Sequence, residues 1–237
     1  MMVDSDRLRM CLRIIRTQNN DELTVVPTDD GWTMSAVSPD HTTLATAELA
    51  QGAFPDGYTK WGAFCVSAPV LDEILSGIRG ACDIDISTGK FVVKANGYTY
   101  RKPLLMPQES RKVPSPETDT EVLVSSGLVG QFLQKALRSG DGDAVRIAAS
   151  EGTGEFGLSI EDETGNGLSL VTPATGCALL TGEAATLYPL EAWANLFKAL
   201  PQEAEVSIRF RDAYPAVVAC TDTVYSVRWM CAPRIEE

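Results

Sequence analysis

Residues 7–18, RLRMCLRIIRTQ, hold four arginines and no acidic side chain. Apolar residues recur at i, i+3, i+4 and i+7 starting from Leu8, which is the spacing of one buried helix face. The arginines repeat one residue later, so we expect them to line a separate, exposed face. Asp4, Ser5 and Asp6 come just before and suit the N-cap of a helix. This stretch therefore predicts an amphipathic helix with one basic face.

The chain as a whole is acidic, with 20 Lys and Arg against 32 Asp and Glu and a formal net charge of -12. Such a charge argues against an outer surface that coats nucleic acid nonspecifically. A local basic face still acts within the Debye length of about 8 Å in physiological salt. The simplest alternative is that the arginines form an ordinary solvated helix face.

The helical pattern occurs four times, beginning near residues 5, 69, 127 and 189. Each occurrence is followed by several strand-like segments, which gives a repeat of about sixty residues. Two repeats precede a proline-rich stretch at 107–120, and two follow it. The sequence predicts an α+β fold of two similar domains, 1–106 and 121–237, joined by the linker 107–120. Each domain is expected to pack two helices on antiparallel sheet.

Few residues suggest catalysis or metal binding. The six cysteines show no C-x-x-C spacing and are expected to be free, buried thiols. His41 is the one histidine, and the G-x-G-x-x-G match at 152–157 runs into a strand pattern. Asp83 and Asp85 share one strand face and leave a carboxylate-based enzyme as a remote alternative. We expect no enzyme activity, cofactor or metal, and with no membrane span or secretory signal we expect an intracellular protein.

Four segments resemble one known family. Residues 230–236, MCAPRIE, resemble the L-A-P-[KR]-I-E ending of the trimeric sliding clamps, the proliferating cell nuclear antigen (PCNA) family. Residues 31–49, with AVSPDH at 36–41, resemble a first-domain segment of that family. Residues 143–145 and 165–167 also match in place and order, and the length is similar to that of archaeal members. Only three residues precede the first helix cap, so either the start of the sequence is placed too late or the family's opening strand is a stub here.

The resemblance implies the DNA clamp fold, closed as a ring of three subunits around duplex DNA, and no catalysis. Its implied partners are a replicative DNA polymerase, the clamp loader replication factor C, flap endonuclease and DNA ligase, at the nucleoid in the cytoplasm. Self-association is expected to give a homotrimer. The alternative is an interaction scaffold or a checkpoint-type or heterotrimeric clamp subunit.

The resemblance also implies three sets of functional residues. The DNA-binding set holds basic residues of the helices: Arg9, Arg13, Arg16, Arg79, Lys135, Arg138 and Lys198. A pocket for partner peptides is expected from Val37, His41, Leu44, Val113, Pro215, Met230, Ala232 and Pro233. The subunit interface is expected to pair strand 98–105 of one subunit with strand 167–171 of the next, through Tyr98, Tyr100, Gly167, Leu168 and Leu170. For Val37 and Leu44, ordinary strand packing is an alternative.

Overall fold

All four predicted helices are present, and each begins directly at the end of a strand. The computed structural model describes residues 1–107, 113–162, 164–173 and 176–235, so part of the predicted linker, 108–112, lies outside the described residues. The helices are α1 Ser5–Arg16, α2 Ala68–Ser76, α3 Ser126–Ser139 and α4 Leu190–Ala199. The predicted starting points are therefore confirmed to within one residue.

The strands follow the helices in a repeating order. In the first half they are β1 Met2–Asp4, β2 Glu22–Pro27, β3 Gly31–Val37, β4 Thr43–Ala50, β5 Phe64–Ser67, β6 Ala81–Asp85, β7 Lys90–Ala95 and β8 Tyr98–Pro103. In the second half they are β9 Thr120–Ser125, β10 Ala144–Ser150, β11 Glu155–Glu161, β12 Gly167–Pro173, β13 Leu179–Thr181, β14 Glu183–Pro189, β15 Glu205–Phe210, β16 Ala216–Thr221 and β17 Tyr225–Cys231. Apart from the short β13, the chain is four strand–helix–three-strand repeats. The predicted α+β repeat is confirmed, with one leading strand added to each repeat.

The chain divides into two compact units. Unit 1 is Met1–Val113 with Thr221–Val227, and unit 2 is Pro114–Cys220 with Arg228–Glu237. The short segment Thr221–Val227 joins unit 1 because the Ala50 N–H donates a hydrogen bond to the Val224 carbonyl at 2.9 Å. Sequence periodicity carries no sign of this late contribution to the first unit.

Unit 1 packs α1 and α2 against each other and places α1 on β3 and β4. Its strands form an antiparallel sheet in the order β1-β6-β7-β8 and a run in the order β4-β3-β2-β5. The aromatic core centres on Trp32, whose ring lies 5.2 Å from Phe54 and 5.5 Å from Phe64. The predicted stub is β1, which has three residues and pairs Val3 with Cys82.

The first helix is fixed by its cap and by its buried face. The Asp4 carboxylate accepts hydrogen bonds from the backbone N–H groups of Asp6 and Arg7, both at 3.0 Å. Ser5 does not cap the helix, because it is buried and donates its hydroxyl to the Gly80 carbonyl at 2.5 Å. Leu8 and the rest of the predicted apolar face are buried. The predicted amphipathic helix is therefore confirmed, with Asp4 as its cap.

Unit 2 repeats the plan of unit 1. Its strands form an antiparallel sheet in the order β12-β11-β10-β14 and a run in the order β13-β9-β15-β16, and α3 packs on α4. Trp193 is fully buried, with ring centroids 5.3 Å from Tyr188 and 5.6 Å from Trp229. Among the described residues no helix is long and apolar enough to cross a membrane.

Helix α3 ends at Gly140, which has φ 73° and ψ 14° in the left-handed region. Its N–H donates to the Ala136 carbonyl at 3.4 Å and closes the last turn. We expect Gly140→Ala to lower the free energy of unfolding by about 1 kcal/mol, because a Cβ costs roughly 1–2 kcal/mol in this region. Urea unfolding followed by tryptophan fluorescence measures the change.

The matched control is Gly152→Ala. Gly152 also lies in an exposed turn, but its φ is not positive and the nearest atom to an added Cβ is 3.8 Å away. We expect this variant to be neutral or slightly stabilised. Equal losses in the two variants would contradict the assignment of a left-handed cap.

Candidate nucleic-acid interface

Arg7, at the start of α1, is held within unit 1. Its guanidinium donates to the Asp222 carboxylate and lies 5.7 Å from the centre of the Tyr225 ring. The side chain remains 42% exposed. Arg7 therefore ties α1 to the segment Thr221–Val227, and part of its charge is offset.

Arg9 and Arg16 share a single carboxylate on α2. Arg16 donates to one oxygen of Asp72, and the Nε of Arg9 lies 3.8 Å from the other. The predicted exposed face is therefore corrected for Arg9, which is half-buried because it faces α2. The three side chains together carry one net positive charge instead of two.

Arg13 differs from the other three arginines of α1. It is exposed, and it forms no ion pair with any residue that the structure describes. Of the predicted basic face on α1, Arg13 is the cation that stands without an acidic neighbour.

Arg79 does not lie on a helix face, which corrects the prediction. Helix α2 ends at Ser76, and Arg79 follows in the exposed turn that leads to β6. The helix ends early because Gly77 is a poor helix former and serves as its C-cap. The sequence pattern ran on to Ile78, which is buried but lies beyond the helix.

In unit 2 the predicted cations come together. Lys135 and Arg138 on α3 and Lys198 on α4 line one groove of about 370 Å³ between the two helices. All three are exposed, and none has an ion-pair partner within the described part of the chain. Three glutamines complete the polar lining: Gln131, Gln134 and Gln202.

Small residues on α3 allow this groove to form. A Cβ on Gly127 would lie 2.6 Å from the Gln202 carbonyl oxygen, which is closer than real contacts. A Cβ on Gly130 would lie 3.6 Å from the Phe197 carbonyl oxygen, an ordinary contact. Gly127 is thus required for the close approach of the segment after α4, a contact that helical periodicity does not predict.

The groove has the chemistry of a phosphate-binding surface. Lysine and arginine supply charge, and glutamine amides supply further hydrogen-bond donors on flexible side chains. No base-reading geometry is needed for such contacts, since phosphates carry no sequence information.

The predicted subunit-interface residues lie on two free sheet edges. Strand β8 pairs with β7 at the end of one sheet, and β12 pairs with β11 at the end of another. Tyr98 on β8 is 68% exposed and Val171 on β12 is 59% exposed. The remaining predicted residues are exposed or half-buried on the same strands: Tyr100, Gly167, Leu168 and Leu170. Edges with apolar side chains favour pairing with another chain.

The predicted peptide-pocket residues belong to both units. In unit 1, Val37 and Leu44 are half-buried and stand directly opposite each other on β3 and β4, with exposed His41 in the turn between them and half-buried Val113 at the end of the unit. In unit 2, Pro215, Ala232 and Pro233 are half-buried. Met230, also in unit 2, is buried. Met230 is 5% exposed, so little of its side chain reaches solvent in unit 2. The pocket stays a prediction.

The two carboxylates on β6, Asp83 and Asp85, have structural hydrogen-bond partners. The N-terminal ammonium donates to Asp83 at 2.7 Å and, with Lys94, lowers the pKa of that carboxyl. The Ser87 backbone N–H donates to Asp85 at 2.8 Å and lowers the pKa of Asp85. Both carboxylates stay ionised and engaged, so neither is suited to take up a proton near neutral pH.

The other candidate sites of chemistry also have structural roles. Residues 152–157 form the turn between β10 and β11 and the start of β11, with no helix N-terminus to hold a phosphate. All six cysteines are free thiols, and all but Cys177 are buried. Burial raises the pKa of both Cys11 and Cys82 to about 12, which keeps these thiols protonated. In the described residues, no group of three or more His, Cys, Asp or Glu is placed to hold a metal ion.

Comparison with known proteins identifies sliding clamps. No protein-family model matches the chain. The chain is 26% identical to the DNA polymerase sliding clamp of Natronomonas pharaonis over 227 residues, 91% of this chain and 90% of the relative. The structure of A. fulgidus PCNA with the C-terminal region of FEN-1 bound matches with a TM-score of 0.91 at 15% identity, covering 100% of this chain and 98% of that one. The PCNA2–PCNA3 complex from Sulfolobus tokodaii matches with a TM-score of 0.85 at 18% identity and full coverage of both chains. The predicted resemblance to the clamp family and the predicted fold are confirmed.

We expect Lys135→Gln to weaken the binding of DNA by removing one phosphate contact from the groove. Each lost contact should reduce the magnitude of the slope of log K against log salt by about 0.9. Fluorescence anisotropy with a short duplex, measured over a series of salt concentrations, gives this slope.

Arg146→Gln is the matched control. Arg146 is equally exposed and lies in unit 2, but on strand β10 and away from the groove residues. Its slope should stay close to that of the unaltered protein. If the two variants lose the same amount, binding follows net charge alone and the groove is not the contact.

Proposed function

We propose that this protein is a DNA polymerase sliding clamp, a ring that encircles duplex DNA and tethers the polymerase to it. The chain has a net charge of -12, yet four cations on or between its helices form no ion pair with any described residue, and this observation carries the proposal: Arg13, Lys135, Arg138 and Lys198. Similarity to sliding clamps over nine tenths of the chain supports the same conclusion.

A clamp must hold DNA without stopping on it. Flexible lysine and arginine side chains meet this need because they attract phosphates through water and read no base edges. The acidic remainder of the surface repels DNA and so restricts contact to the helix faces. Such a protein works at the nucleoid. It uses binding and enclosure, so we propose no catalytic role for it.

Ring closure would use the two free sheet edges. Pairing of β8 from one subunit with β12 from the next is a head-to-tail contact, and three such contacts close a ring. It would cover Tyr98 and Val171, which are the most exposed apolar side chains on those strands. It would also satisfy the open backbone donors and acceptors of both edges.

Partner proteins would dock through short peptides. A neighbouring fold, A. fulgidus PCNA, is described with the C-terminal region of FEN-1 bound to it. For this chain we propose that the predicted peptide-pocket residues bind such peptides. The proposed partners are the replicative polymerase, replication factor C, flap endonuclease and DNA ligase. His41 (φ 59°) lies in a turn in which Asp40 accepts hydrogen bonds from Ser38 and Thr42, so its position is well defined.

A heterotrimeric clamp is the second candidate. The match to a PCNA2–PCNA3 complex favours it, because two different chains of this fold assemble there. Native mass spectrometry of the purified chain separates the two candidates: a homotrimer appears at three times the chain mass of 25.5 kDa, and a heteromeric subunit does not.

The clamp proposal is tested by comparing circular with linear DNA. Loaded with its clamp loader and ATP, the protein should stay on nicked circular DNA and run off the same DNA after linearisation. Gel filtration of the protein–DNA mixture, before and after cutting with a restriction enzyme, measures retention. Equal retention on both forms would mean ordinary DNA binding and would reject the ring.

The interface is tested by a charge at each edge. Tyr98→Glu and Val171→Glu should each shift the protein from trimer to monomer, because an unpaired carboxylate in a closed interface costs several kcal/mol. Analytical ultracentrifugation over a concentration series measures the shift. Leu179→Glu is the control, since Leu179 is an exposed apolar residue on a different sheet edge and should leave the trimer intact. A trimer that survives both edge variants would contradict the proposed pairing.

A further inference from the structure

Asp72 occupies a special position between α1 and α2. Its two carboxylate oxygens face two different arginines of α1, which lie seven residues apart on the same side of that helix. The Asp72 side chain is 23% exposed, and the Arg9 side chain is 22% exposed. One acid on α2 thus offsets half of the positive charge that α1 presents through Arg9 and Arg16.

The two contacts differ in kind. Arg16 forms a direct hydrogen-bonded ion pair with Asp72 and remains 42% exposed. Arg9 faces Asp72 at 3.8 Å, and the atoms on that side, Arg9 Nε and Asp72 Oδ1, are buried without a hydrogen-bond partner in the described structure. Arg9 is therefore held by charge and burial, and Arg16 is the arginine that is able to exchange partners at the surface.

A carboxylate and a phosphate compete for the same guanidinium. Both present oxygen pairs that match the planar donors of arginine. Asp72 is attached to the neighbouring helix, so it is always present at high local concentration. A DNA phosphate that binds the donor of Arg16 now held by Asp72 must displace that carboxylate, and a phosphate on the other donors meets an arginine whose charge is already offset.

We propose that Asp72 is an intramolecular competitor of the DNA phosphates, which limits how strongly α1 of the clamp holds DNA. This inference rests on the proposed function and deepens it, because it names what regulates the basic face. In unit 2 no acid plays this part for the groove cations among the residues described. The cations of the α3–α4 groove then contact DNA phosphates without a competing acid. On α1, Arg13 does the same, whereas Arg16 contacts a phosphate when Asp72 is displaced.

The test compares Asp72→Asn with Glu73→Gln. Both remove one negative charge from α2, but Glu73 is exposed and forms no ion pair with the described residues. For Asp72→Asn we expect the log K against log salt slope on duplex DNA to steepen by about 0.9 for each arginine regained, or about 3 for one arginine in each of three subunits. Glu73→Gln should leave the slope near that of the unaltered protein.

A second comparison keeps Asp72 in place and decides the matter if Asp72→Asn does not fold. Arg13 and Arg16 are both exposed arginines of α1, and only Arg16 is paired with Asp72. Arg13→Gln should flatten the slope, whereas Arg16→Gln should change it little, because Asp72 already occupies Arg16. In the Asp72→Asn background, Arg16→Gln should bring the slope back, which a merely structural role for Asp72 would not do.

Three outcomes are distinct. The inference is supported if Asp72→Asn steepens the slope and Glu73→Gln does not. If Asp72→Asn does not fold, the inference is supported when Arg13→Gln flattens the slope more than Arg16→Gln does. Equal slopes within both pairs, together with a flatter slope for Lys135→Gln, overturn the inference and leave the clamp function standing. If Lys135→Gln also has no effect and the protein is not retained on circular DNA, the proposed function itself fails.

Discussion

Each helix of this chain starts on the last residue of a strand, and this connection decides which side chains reach solvent. The N-cap positions Asp4, Ser67, Ser125 and Pro189 each end a strand. With no loop between them, the strand fixes the direction and rotation of the helix. The rotation is then kept by burial, since each large apolar side chain removed from water contributes about 1.5–3 kcal/mol, whereas an exposed ion pair contributes about 0–1 kcal/mol. The polar faces are therefore set by the core, and the charged residues adapt to them.

The two units use the same architecture and treat the resulting polar face differently. In unit 1 three of the four arginines of α1 meet acids from elsewhere in the unit, Asp72 and Asp222, and this helps join α1 to α2 and to the segment Thr221–Val227. In unit 2 Gly127 on α3 lets the segment after α4 approach closely, and the cations of α3 and α4 line an open groove. The basic face of α1 is largely paired within its own unit, whereas the groove cations of unit 2 form no ion pair with the described residues.

The sequence predicts what depends on neighbours along the chain. The helix starts and the buried apolar face of α1 both follow from local spacing. It does not predict contacts between distant positions. Asp72 is 56 residues from Arg16, and Asp222 is 215 residues from Arg7, so nothing in the helical period of α1 indicated that its arginines were paired. The assignment of Arg79 to a helix face failed for a related reason, because the apolar spacing continues past the point where Gly77 ends the helix.

The pairing of Asp72 also bears on how an acidic protein handles DNA. A phosphate that replaces Asp72 at Arg16 gains a contact of the kind that the carboxylate already makes, so the exchange releases little free energy. The exchange also leaves Asp72 without its hydrogen-bonded partner, while its other oxygen stays buried beside Arg9 without a donor. The oxygen that Arg16 releases lies in an exposed contact, so water takes the place of the lost donor. The oxygen beside Arg9 lacks a donor both before and after the exchange, so it adds no cost. In the proposed clamp, the contact of α1 with a phosphate is therefore close to balanced, which would let a ring hold a polyanion and still move along it.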